Sequence, residues 1–150
     1  MSRWLLVAVL VACQGGSPAT QSHGKLELID APSTSDVAAY LAPLVARAQL
    51  DHKKLVVYVG ATWCEPCQHF HDAAVANQLD DQFGDLRLVV FDADRDEPAL
   101  VAAGYRSSML PLFALPAADG RANGKQFEGS IKGTGAVAQI APNLRQLVDH

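Results

Sequence analysis

No apolar run in this 150-residue chain reaches the roughly twenty residues that a membrane-crossing helix needs. There is no cluster of basic residues, and the formal charge is −4, which argues against nucleic acid as a partner. No second C-x-x-C exists, so a four-cysteine zinc site is excluded; Gln68 stands where a covalent haem motif needs histidine. No internal repeat and no heptad pattern is present, and nothing demands an oligomer, so a monomer without a cofactor is expected. Cysteine is scarce too. There are three, Cys13, Cys64 and Cys67, and the odd count calls for an explanation.

The chain has enough apolar residues, about half of the total, to bury one ordinary core, so a single domain is expected. Its centre is Trp63-Cys64-Glu65-Pro66-Cys67. The β-branched run Leu55-Val56-Val57-Tyr58-Val59 before it reads as a buried strand, and Phe70, Ala74 and Val75 after it recur at helical spacing. The cysteines therefore lie at a strand-to-helix turn. Free backbone N–H groups and the positive end of the helix dipole then face Cys64 and favour its thiolate. Lowering a thiol pKa from about 8.5 to about 7 raises the reactive fraction at neutral pH from a few per cent to roughly half. Pro66 fits the first helical turn, where its missing N–H costs nothing. Cys67, one turn in, is shielded by the helix and close enough to close a disulfide. The chemistry suggested is thiol–disulfide exchange, Cys64 attacking and Cys67 resolving.

Duller readings stand beside this one. Cys64, Cys67 and His71, at spacings of three and four, share one helical face and offer a copper or zinc carrier as the alternative; an inert bridge is a third reading. His69 and His71 otherwise read as solvent-facing helix residues, and Asp92 and Asp94 as a solvent-facing strand end. Trp63 suits packing and a substrate-facing surface equally.

At the N-terminus, Arg3 precedes the apolar run Trp4 to Ala12, which suits the h-region of an export signal. The run ends Leu10-Val11-Ala12-Cys13, which resembles the lipobox of bacterial lipoproteins. That resemblance implies cleavage before Cys13, lipidation of Cys13 and anchoring of an exported protein at the periplasmic or extracytoplasmic face of a membrane. Gln14 is compatible with outer-membrane sorting by the enterobacterial rule. Cys13 then leaves the redox count, and losing Arg3 takes the charge to 11 minus 16, or −5. The segment 14–24, rich in Gly, Ser, Thr and Gln, reads as a flexible tether, so the division is 1–12 signal peptide, 13–24 tether and 25–150 folded domain.

Along that domain the elements alternate. A strand is expected over Leu26–Ile29, then a helix capped by Ser35 or Asp36, kinked or starting late at Pro43. After the cysteine turn the helix should run to about Leu79, followed by a strand over Leu86–Phe91 and a short helix over Glu97–Ala103, stopped at Gly104. Next come a strand over Leu110–Leu115, a turn using Asp119-Gly120 and Asn123-Gly124, and a hairpin strand over Lys125–Ile131. Thr134 is expected to cap a last helix, bent at Pro142. The pattern is α/β, a central mixed sheet with helices on both faces.

This order, with Trp63-Cys64-Glu65-Pro66-Cys67 at its centre, Tyr105 to Pro111 some 44 residues on, and a hairpin centred on Gly120, resembles the thioredoxin-like superfamily. Its extracytoplasmic members, disulfide and apocytochrome reductases among them, are the nearest in character. The resemblance implies a cis Leu110–Pro111 bond facing the sulfurs, with the Leu110 backbone pairing with an extended substrate. It implies disulfide reduction on exported thiol and disulfide proteins, with electrons from a membrane donor. Two departures matter. Tyr58 stands where the superfamily has a buried acid, and the lysine expected beside it is replaced by apolar Leu88, Val89 or Val90. The proton of Cys67 is left to water, to Glu65 or to another group. Glu65 itself stands where glycine is usual; its carboxylate opposes the thiolate, favours the disulfide form and makes the reduced protein a better reductant.

Overall fold

The computed structural model describes residues 24–150. The expected leader, Cys13 and nearly all of the tether lie outside the described residues. Strand β2 (Lys54–Gly60) organises the rest: from Leu55 to Gly60 every residue is buried. It lies between β3 (Leu86–Asp92), which runs parallel to it, and β4 (Leu112–Pro116), which runs antiparallel. Strand β1 (Glu27–Asp30) pairs with β3 and β5 (Ala122–Glu128) with β4, completing a five-stranded mixed sheet in the order β1-β3-β2-β4-β5.

Because successive strand residues face opposite ways, β2 feeds two cores. Val56 and Tyr58 enter one with α2 (Glu65–Val75), α3 (Asp80–Phe83) and α5 (Ala136–Asp149), through Phe70, Phe83, Ile140 and Leu144. Leu55, Val57 and Val59 enter the other with α1 (Val37–Leu50) and α4 (Ala93–Ala102), through Leu41, Val45 and Leu100. Helices therefore cover both faces of the sheet, as the alternation of elements predicts. Phe113 on β4 stacks between Tyr58 and Phe127, with ring centroids 4.9 Å apart on each side.

Several boundaries differ from the sequence expectations. Helix α1 starts at Val37, capped by Asp36, and runs unbroken through Pro43. Pro43 and Ala39, whose carbonyl loses its partner, are both exposed, so water replaces the missing bond. Helix α2 stops at Val75, whose side chain is exposed rather than inward, and Asp80–Phe83 forms a helical turn of its own. Helix α4 begins four residues before Glu97, because the Asp92 carboxylate accepts the N–H groups of Asp94 and Arg95. The β4–β5 turn uses Asp119-Gly120 alone, with Gly120 at φ +81°. A Cβ on Gly120 would come within 2.1 Å of the Ala38 carbonyl oxygen. Asn123-Gly124 lies within β5, at an irregularity where Ala114 pairs with Gln126 but Pro116 pairs with Ala122. Gly135, not Thr134, caps α5, and Pro142 lies inside that helix.

Most of the ion pairs gather where β2 and β3 begin, with Arg95–Asp96 and His69–Glu65 at the other end. Glu27 and Asp51 hold Arg87, while Asp85 and Asp149 hold Arg145. The cysteines follow the other end of β2. Paired hydrogen bonds from the Arg145 guanidinium hold the Asp85 carboxyl below its ordinary pKa of 3.8. A carboxyl lowered on folding stabilises the protein above its unfolded value, and that contribution is lost as the pH falls through the folded value. Urea unfolding of Arg145→Gln should therefore lose stability at neutral pH and depend less steeply on pH below about 4 than the parent. Parallel acid profiles for the two proteins would remove Asp85 from the account.

Candidate active site at the Cys64–Cys67 turn

Beyond Gly60 the chain turns through Ala61–Trp63 and enters α2 with Cys64 as its N-cap, in extended conformation at φ −87° and ψ 99°. The Cys64 N–H donates to the Ala61 carbonyl at 3.1 Å, which closes the turn. Cys64 and Cys67 are joined by a disulfide, with Cα atoms 5.2 Å apart. Cys64 Sγ also accepts the Cys67 backbone N–H at 3.3 Å, so it occupies the position of a capping oxygen at the positive helix end. That arrangement matches the sequence expectation for Cys64. The expected contrast in burial is small: Cys64 is 5% exposed and Cys67 3%.

Three segments meet around this disulfide. The first is the turn itself, where Trp63 is 67% exposed and its Nε1–H donates to the Asp94 carboxylate at 2.9 Å. Asp94 is thus a partner of Trp63 and Asp92 a helix cap; neither is an idle strand end. The second is the loop before β4. It contains a cis Leu110–Pro111 bond, and Leu110 packs against the cluster of Ala61, Cys64 and Cys67. Glu128 on β5 pins this loop by accepting the Ser108 N–H at 2.9 Å and the Ser108 hydroxyl at 2.7 Å. The third is the loop before α5, which donates the Gly133 N–H to the Glu65 carboxylate at 3.0 Å. The three segments present exposed apolar side chains, Trp63, Met109 and Ile131. Trp63, Met109 and Leu110 also border a groove of about 590 Å³ whose polar lining includes Asp94, Glu97 and Arg106.

Glu65 is held more closely than the sequence suggests. Besides Gly133, it faces His69 Nε2 at 3.6 Å, so its carboxylate is engaged with the α5 loop. Pro66 is buried in the first turn of α2. His69 and His71 are half-buried. Among the described residues no group of three or more His, Cys, Asp or Glu side chains stands together as a metal-ligating set, and the disulfide engages both cysteines of the carrier alternative.

A family profile described as Thioredoxin matches residues 43–142, two-thirds of the chain. The chain belongs to the thioredoxin family. Solved structures similar to this thioredoxin domain include a thioredoxin from Trichomonas vaginalis, at 19% identity and TM-score 0.50, covering 81% of this chain and 96% of that one. A thioredoxin from Fasciola hepatica matches at 20% identity and TM-score 0.50, covering 83% and 99%; a poplar thioredoxin h matches at 21% and 0.50, covering 84% and 95%. At these identities the likeness is one of fold. Comparison with curated proteins finds no match. The fold and the Cys64–Cys67 pair together support thiol–disulfide oxidoreductase chemistry for this thioredoxin domain.

Tyr58 is the residue whose role the sequence leaves most open. Its hydroxyl, buried under α2, donates to the Cys67 carbonyl at 2.9 Å. Burial pushes the phenol far above its ordinary value, with the Asp72 charge adding to the shift. Tyr58 is thus no base for Cys67; it is a strut that ties β2 to the second cysteine's backbone. Gly60 is a second position that sequence reading passed over. A Cβ there would lie 3.3 Å from Cys67 Cβ and 3.4 Å from the Tyr58 hydroxyl, so glycine eases the close approach of β2 and α2. The aperiodic glycine closing an otherwise apolar strand was its signal. Tyr58→Phe keeps the ring stack and deletes one buried hydrogen bond, leaving the Cys67 carbonyl only its partner within α2. Urea unfolding of the oxidised protein should show a loss of about 1–2 kcal/mol; an unchanged midpoint would mean that the bond contributes nothing.

Proposed function

We propose that this thioredoxin-family protein is an exported, lipid-anchored thiol–disulfide oxidoreductase that works as a reductase on exported disulfide proteins. Cys64 attacks the substrate disulfide, Cys67 resolves the mixed disulfide, and a membrane donor restores the dithiol. The observation that carries the exchange chemistry is the position of Cys64 Sγ, which accepts a helix N-terminal N–H and is disulfide-bonded to Cys67 one turn along. Leu110 packs against the cysteines, and with Trp63 and Pro111 it forms the surface on which the substrate chain lies, the Leu110 backbone pairing with it.

Export and anchoring are supported by the Leu10-Val11-Ala12-Cys13 sequence behind its apolar run. In a bacterial host, Cys13→Ser should move the protein from the membrane fraction to the soluble one. Retention of the variant in membranes would argue against a lipid on Cys13.

The reductase direction is supported by Glu65, a negative charge in the first turn beside Cys64 that opposes the thiolate even while it binds Gly133. Equilibration with glutathione should give a potential near thioredoxin's, about −270 mV; one near −120 mV would mark an oxidant. Cys64→Ser should abolish exchange with a test disulfide, whereas Cys67→Ser should accumulate mixed disulfides on Cys64. Preferential alkylation of Cys67 at neutral pH would reverse these roles. Glu65→Gly should lower the Cys64 pKa in a thiolate absorbance titration, and an unmoved titration would leave Glu65 with only its link to the α5 loop.

A further inference from the structure

Release of a mixed disulfide from Cys64 requires Cys67 to attack as a thiolate, so its proton must leave a site that is 3% exposed. Two groups beside it are committed elsewhere. The Tyr58 hydroxyl donates a hydrogen bond to the Cys67 carbonyl, and the Glu65 carboxylate is bound to the Gly133 N–H.

What does open onto Cys67 is a pocket of about 380 Å³, large enough for several water molecules. Gly60 forms part of its wall, and a Cβ added there would lie 3.6 Å from Cys67 Sγ and 3.4 Å from the Tyr58 hydroxyl. The missing side chain leaves the wall open beside Cys67 Sγ. His71 lines the same pocket. It stands four residues beyond Cys67 on α2, so the two are neighbours on one helix face.

We propose that His71 accepts the Cys67 proton through water held in this pocket as the mixed disulfide resolves, and by the same route supplies a proton to Cys67 when the disulfide is reduced. The inference rests on the exchange chemistry proposed above. The Cys67 S–H bond breaks and its proton passes to the imidazole. The thiolate pair forms the bond to Cys64 Sγ, and the bond from Cys64 to the substrate breaks with its pair on the substrate sulfur. The imidazolium then gives its proton to that departing thiolate or to solvent, so no further oxidant or reductant is needed.

The other ionisable groups around the pocket are Tyr58 of β2, Asp72 of α2, Asp30 of β1, Asp92 of β3 and Arg95 of α4. Arg95 is tied to Asp96 and to the Ala31 carbonyl, and Asp92 caps α4. Asp30 and Asp72 remain as carboxylates on the rim. Imidazole is the side chain whose proton exchange is matched to neutral pH, which singles out His71 among them.

The test is stopped-flow reaction of the reduced full-length protein with 5,5′-dithiobis(2-nitrobenzoate). Cys64 releases the first thionitrobenzoate and Cys67 displaces the second. In His71→Gln the first phase should stay within about twofold of the parent while the second slows about tenfold at neutral pH. The two proteins should converge above about pH 9.5, where hydroxide alone ionises the thiol. Free imidazole should restore the second phase of His71→Ala. Gly60→Ala, which places a methyl on the pocket wall 3.6 Å from Cys67 Sγ, should slow the same phase without imidazole rescue. A second phase at the parent rate in His71→Gln overturns the proposal, and so does a slowing that is equal at every pH and indifferent to imidazole. A parent protein that releases only one thionitrobenzoate and forms no disulfide would instead overturn the exchange reading, and His71 with it.

Discussion

Everything in this molecule hangs from a strand buried on both faces. Strand β2 has neighbours on either side and helices above and below, so from Leu55 to Gly60 every residue is shielded from water. Such a strand must be apolar at successive positions, and it must end abruptly where the chain emerges. The emergence point is where the cysteines stand. Rigidity at the site is thus inherited from the core, and the reactive sulfur needs no mobile loop to place it.

Around the sulfurs the electrostatics are built from backbone more than from charged side chains. The helix N-terminus faces Cys64, and the nearest formal charge, Glu65, is engaged with a main-chain N–H of another loop. The hydroxyl under Cys67 is a donor locked onto a carbonyl. A site of this kind favours one thiolate at its rim, while the second cysteine depends on whatever the adjoining pocket supplies. The asymmetry between the two sulfurs lies in what surrounds them, since both are nearly inaccessible in the disulfide.

Much of this was legible in the residues. The β-branched run before Trp63 and the three-and-four spacing of Val37, Leu41, Val45 and Ala48 place β2 and α1 through hydrophobic period alone. What failed were decisions made by single polar contacts. Asp92 extends α4 backwards as a cap, and the cap at Asp36 starts α1 well before Pro43. Asn123-Gly124 has the composition of a turn, but the Gly120 turn beside the Ala38 carbonyl comes first and leaves it in a strand. Contacts distant in sequence were invisible: Trp63 with Asp94, Glu65 with Gly133, Tyr58 with the Cys67 carbonyl. No periodicity encodes them, because each depends on where two separate elements finish.

The ion pairs gathered at the start of β2 and β3 give the molecule two poles of different character. One is held by ion pairs whose charges, the buried Arg87 apart, are exposed or half-exposed and are screened by dissolved salt within a Debye length of about 8–10 Å. At the other, the sulfurs themselves are held by the buried bonds from Tyr58 to the Cys67 carbonyl and from the Cys67 N–H to Cys64 Sγ, and by apolar packing, which salt scarcely touches. Ionic strength and thiol chemistry therefore act on opposite ends of one sheet. A protein facing a medium of changing salinity can loosen at the first pole while the geometry of the second stays as it is.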